Sequence, residues 1–113
     1  MDFERLDVWR RSKQLTVSIY RAFADCRDAG FKDQVTRSAL SVPSNIAEGM
    51  ERGSAKEKCR YLWIAKASCG ELRTQLMIGA EIGYIAESLA ADWVVETREL
   101  SRMLTGLINK ISV

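Results

Sequence analysis

Seven polar residues stand at spacings that could assemble a reaction centre: Arg37, Ser41, Asn45 and Glu48 in one segment, Ser68, Glu71 and Gln75 in another. Arg37, Ser41 and Asn45 recur every fourth residue, so on a helix they share one face. Glu48 and Glu71 would be the two carboxylates of an acid–base hydrolase. No metal-ligand spacing or substrate-binding pattern accompanies them. The chain also has no histidine, which removes His-based triads, His-ligated metals and imidazole proton transfer. Cys26, Cys59 and Cys69 are odd in number and lack C-x-x-C spacing. They read as small buried hydrophobes in a reducing compartment. The segment M-E-R-G-S-A-K-E-K, residues 50–58, looks like a phosphate loop but lacks G-x-x-x-x-G-K-[ST] spacing and a preceding strand. It reads as an interhelix turn. No catalysis, cofactor or metal is expected, and the polar set is expected to be a structural network.

Charge offers a second kind of chemistry. Seventeen basic and fifteen acidic residues leave a net charge of +2, too little for whole-chain electrostatics to indicate a polyanion. Its distribution says more. Residues 51–73 hold Arg52, Lys56, Lys58, Arg60, Lys66 and Arg73 against Glu51, Glu57 and Glu71, whereas residues 85–113 lean acidic. Arg10, Arg11 and Lys13 are expected to join Arg52, Lys56, Lys58, Arg60 and Lys66 in a nucleic-acid-binding face.

The elements that carry these residues are helices. One proline, seven glycines and no alternating apolar run argue for long uninterrupted helices and against strands. Apolar residues at 47% and charged ones at 28% fit a single soluble domain over residues 1–113. The charged N-terminus has no apolar h-region, and no apolar run approaches the ~20 residues of a membrane span. A cytoplasmic protein is therefore expected.

Apolar spacing predicts four helices. The first, near 3–26, carries Val8, Leu15, Ile19, Ala22 and Cys26, with Asp2 as its cap and Gly30 as the stop behind it. The second begins near 31 or 32 and ends near 50. The third opens with a Ser54–Glu57 capping box and repeats Tyr61, Ala65, Ser68, Leu72, Gln75, Gly79 and Ile82. The fourth, near 87–111, faces the core with Trp93, Leu100, Leu104, Leu107 and Ile111. Short connections give an antiparallel up-down bundle.

The second helix holds Pro43 inside S-V-P-S-N-I-A-E-G, residues 41–49. An interior proline costs ~3 kcal/mol through a lost hydrogen bond and a clash one turn back. Val35, Ala39, Val42, Ile46 and Met50 keep helical spacing straight through it, which predicts a kinked helix rather than two. Asn45 and the serines are expected to satisfy the freed backbone groups. Arg37 is expected to pair with Glu71 or Glu48.

Five motifs together resemble a known family: L-D-V-W at 6–9, Q-V-T-R-S-A-L-S-V-P-S-N-I-A-E-G at 34–49, I-A-K-A-S-C-G-E-L-R-T-Q-L at 64–76, G-Y-I at 83–85 and R-M-L-T-G-L-I at 102–108. They are similar to the 23S ribosomal RNA intervening-sequence proteins, relatives of the accessory variability determinant of diversity-generating retroelements. The resemblance implies a four-helix bundle that assembles into a ring, most often a homopentamer. For the retroelement branch it also implies nucleic-acid binding and a reverse transcriptase partner. The expected function is a non-enzymatic oligomer binding RNA or DNA through basic faces repeated around that ring. The alternative is a protein-assembly module in which Trp63, Trp93 and Met77 make subunit contacts.

Overall fold

The computed structural model describes residues 2–113. A 3-10 turn, Phe3–Arg5, precedes four helices: α1 (Asp7–Ala22), α2 (Ala29–Met50), α3 (Ala55–Glu81) and α4 (Glu87–Ser112). The all-α expectation holds, and there is no strand among the described residues. No helix is long and apolar enough to cross a membrane.

Boundaries depart from expectation where two local signals compete. Asp2 caps the 3-10 turn, not α1, by accepting the Glu4 amide at 3.1 Å. Helix α1 stops at Ala22, and Phe23 turns wholly into the core. Gly30 does not stop a helix; it lies in the first turn of α2, because Asp28 accepts the Phe31 amide at 3.0 Å and caps that helix. Ser54 caps α3 as expected, accepting the Glu57 amide at 3.1 Å, while the Glu57 carboxylate faces Arg60 at 3.6 Å. Gly83 ends α3 at φ +81°, with Tyr84 N–H on Gly79 O at 2.8 Å and Gly83 N–H on Ala80 O at 3.1 Å. That bond pair is a Schellman closure, which needs a residue at ease with positive φ.

Helix α1 packs against α2 and α4, and α3 packs against the same two, while the backbones of α1 and α3 stay apart. They sit at opposite corners of the bundle. Between α2 and α3, Phe31 lies near Gly79, Ser38 bonds Glu71, Ser41 bonds Ser68, and Gly49 abuts Tyr61. The α3 number falls as the α2 number rises. Ile19, Phe23, Val35, Ile46, Leu62, Leu76, Leu100 and Leu104 fill the centre with no solvent exposure. In α4, Ala90, Thr97 and Ile108 face inward beside Leu100 and Leu104, while Trp93, Leu107 and Ile111 lie at the margin, half-buried. In α3, Leu62, Cys69 and Leu76 share the seam, whereas Ile82 is 51% exposed. Ala22, the last residue of α1, is exposed, and Cys26 is half-buried beyond the helix end, where the stripe no longer continues.

Helix α2 is continuous across Pro43. A proline has no amide to give the carbonyl four residues back, here that of Ala39. A donor is within reach from another helix: Thr16 Oγ1 of α1 lies 2.9 Å from Ala39 O and 2.8 Å from Ser12 O, so its one hydroxyl proton can be given to either carbonyl or shared between them. Asn45 and the serines do not do this, contrary to expectation. Asn45 Nδ2 donates to Ser41 O at 2.8 Å and to Ser41 Oγ at 2.9 Å, within the same turn.

Candidate nucleic-acid interface

The polar set divides on folding. Ser41 Oγ and Ser68 Oγ meet at 2.8 Å across α2 and α3, and Asn45 braces the pair. Glu71 accepts from Ser38 at 3.1 Å, a residue the spacing argument left out. Arg37 does not pair with Glu71 or Glu48. It pairs with Asp33 at 3.0 Å on the exposed side of α2, where a local partner spares the guanidinium any burial. Glu48 pairs with Arg52 at 3.2 Å. Glu71 sits opposite Ser38, and ten helical residues, ~15 Å, separate Ser38 from Glu48. The two carboxylates therefore do not converge, as a paired acid and base must. Gln75 Oε1 and Arg52 Nε are buried without a partner among the described residues. No cluster of His, Cys, Asp or Glu among the described residues could hold a metal ion. Burial pushes the Cys69 thiol up to about 12, far from a reactive thiolate.

The basic residues do not form one face. Arg10, Arg11 and Lys13 belong to α1, the others to α3 and the turn before it, at opposite corners. Several are already committed to holding the fold. Arg10 turns back to the carbonyls of Glu4 at 3.3 Å and Arg5 at 2.8 Å, and pairs with Asp7. Arg11 forks onto Glu96 at 3.0 and 2.6 Å, tying α1 to α4, and that hydrogen-bonded carboxylate raises its pKa further. Lys58 caps the end of α2, donating to Met50 O at 3.0 Å and to Arg52 O. Arg52 donates to Tyr61 Oη at 2.8 Å and stacks 4.8 Å from that ring.

Four cations keep to the surface. Lys13 lies 5.2 Å from the Trp9 ring on α1. Lys56, Arg60 and Lys66 lie on the N-terminal half of α3 around Trp63, which is 52% exposed. Lys56, Arg60 and Trp63 stand at i, i+4 and i+7, one stripe of the helix. With Ala55, Cys59 and Ser112 they line a surface hollow of about 450 Å³. Lys66 Nζ covers the ring at 5.7 Å. The spacing argument found the cations but not the aromatic at their centre, because Trp63 also suits a subunit contact.

The far end of the bundle is tied by polar bonds. Tyr84 Oη donates to Asp28 Oδ2 at 2.8 Å, joining the α1–α2 turn to the α3–α4 turn. The Phe31 amide, then the Tyr84 hydroxyl, hold the Asp28 carboxyl below its ordinary 3.8. A depressed folded-state pKa gives stability that is present above the unfolded value and lost as pH falls through the folded one. Melting temperature should therefore drop with acidification below about pH 4, and Asp28→Asn should flatten that drop. An unchanged acid slope in the variant would remove Asp28 from the account.

The family model described as 23S rRNA-intervening sequence protein matches residues 4–106. Among solved structures, the chain is similar to a protein with unknown function from the S23 ribosomal protein family of Bacteroides thetaiotaomicron. The TM-score is 0.83 and the identity 22%, over 89% of this chain and 97% of that one. At that identity the likeness concerns the fold. No curated protein matches the chain.

Proposed function

We propose, from the premise that this chain belongs to the 23S rRNA-intervening sequence protein family, that it is a non-enzymatic bundle that binds RNA or DNA as an assembly of identical copies. The observation that carries this is the set Lys56, Arg60 and Lys66, gathered on one half of α3 without a partner on another helix. A protein that needed these cations only for stability would hold them as it holds Arg11 on Glu96 or Lys58 on Met50. In a homopentameric ring such a patch recurs around the axis, so modest affinity per subunit multiplies into avidity. The three free cysteines fit a reducing, cytoplasmic setting.

Phosphate-driven affinity falls linearly with salt on logarithmic axes, by about 0.7–0.9 per phosphate neutralised. Binding of RNA and DNA across a salt series should show that fall. The variant carrying Lys56→Ala, Arg60→Ala and Lys66→Ala should bind more weakly and reduce the slope by about 2 per subunit engaged. Absence of binding at low salt, or a slope the triple variant leaves alone, overturns the proposal.

A second reading rests on exposed apolar side chains: Ile78, Ile82 and Val95 lie open to solvent, as in a module that only joins proteins. Light scattering on the purified chain addresses the ring itself. A monomer at all concentrations removes the avidity argument.

A further inference from the structure

We infer that the hollow around Trp63 is a platform for single-stranded nucleic acid, in which an unpaired base stacks on the indole and the neighbouring phosphates rest on Lys56 and Arg60. This deepens the proposed binding function and rests on it. Trp63 is 52% exposed, although the bundle core is filled without it. Leaving so large an apolar ring in water needs a use, and every nucleic-acid base has a π face to offer it.

The surroundings select a polyanion. The six residues lining the hollow include two cations and no carboxylate. Arg60 has a neighbour in Glu57, but at 3.6 Å between side chains 62% and 41% exposed the pair is weak and easily exchanged for a phosphate. Lys66 covers the Trp63 ring at 5.7 Å, so the indole can hold a base on its other side. Helix α3 begins at Ala55 beside the hollow, and the positive end of its dipole adds to the attraction. A volume of about 450 Å³ lies within the ~300–1,000 Å³ range of small-molecule pockets.

The geometry also disfavours a duplex. Paired bases are stacked on one another and show only their edges, so a tryptophan lying against a helix surface cannot reach their faces. Unpaired bases can be splayed out onto it.

The test uses the full chain with Trp9→Phe and Trp93→Phe, so that Trp63 is the one tryptophan and can be excited selectively over the tyrosines. It is titrated with oligo(dT), with oligo(U), and with a blunt duplex of equal length. Single strands should quench Trp63 and bind more tightly than the duplex. Trp63→Leu, read by anisotropy of labelled oligo(U), should weaken single-strand binding roughly 5- to 150-fold, the equivalent of one lost base–aromatic stack, while leaving the salt slope unchanged. Trp63→Phe should keep most of the affinity, whereas Lys56→Ala with Arg60→Ala should lower the slope. Equal binding of duplex and single strand, with Trp63→Leu silent, overturns the platform and leaves nucleic-acid binding standing. No binding of either form overturns both. Quenching that follows protein concentration alone, with a rise in mass, assigns the hollow to a contact between copies and overturns the platform.

Discussion

Thr16→Val should destabilise the fold by about 1–3 kcal/mol, and chiefly because Pro43 is present. Valine keeps the shape of threonine and removes only the hydroxyl that reaches Ala39 O at 2.9 Å. Ala39 is buried, so its carbonyl then has neither water nor an amide to bond. The dependence on Pro43 makes the prediction sharp. In Pro43→Ala the restored amide can serve Ala39 O from within α2, and Thr16→Val should then cost much less. Denaturant unfolding of the four proteins in this cycle should give a coupling of about 1 kcal/mol or more. Additive effects would mean the hydroxyl serves Ser12 O alone, its other neighbour at 2.8 Å.

The second large effect concerns one methyl group. A Cβ built on Gly49 would lie 3.1 Å from the backbone carbonyl of Lys58 and 3.0 Å from Tyr61 Cβ. Neither neighbour is the loose end of a side chain, so α2 and α3 must move apart. Overpacking of this kind costs about 1–3 kcal/mol, of which better helix propensity returns at most ~1. Gly49→Ala should thus lower the melting temperature. Gly70→Ala is the matched comparison. Its Cβ would meet nothing within 4 Å, so the same exchange in the middle of α3 should stabilise by about 0.5–1 kcal/mol. Two melting curves decide the matter: shifts of the same sign would mean that close approach at Gly49 does not govern its role.

These two sites show what periodicity could and could not convey. The end of α2 at Met50 and the start of α3 after Ser54 were legible because apolar spacing and a cap agree there. The start of α2 was not: Gly30 reads as a stop, but the Asp28 carboxylate accepts the Phe31 amide and starts the helix ahead of that glycine. Two serines and Asn45 of the two motifs bond to one another, Ser41 to Ser68 and Asn45 to Ser41, contacts that helical spacing could place on facing sides. The donor for Ala39 O was not legible, because Thr16 stands 23 residues away in the chain and only packing brings it near. The basic face failed for the same reason. Spacing within a helix says which cations share a side, but it says nothing about which helices share an edge. Arg10 and Lys56 looked like neighbours until α1 and α3 took opposite corners.

The bond from Thr16 to Ala39 O also bears on how the bundle comes apart. A helix that carries its own full ladder of hydrogen bonds can survive the loosening of a neighbour. Helix α2 cannot do so at its midpoint, because one rung is lent by α1. Unfolding of α1 through Thr16 removes that rung, so opening of α1 is expected to lower the protection of α2 around Pro43, which amide hydrogen exchange would read. The proline that looks like a local defect thereby couples local unfolding across an interface.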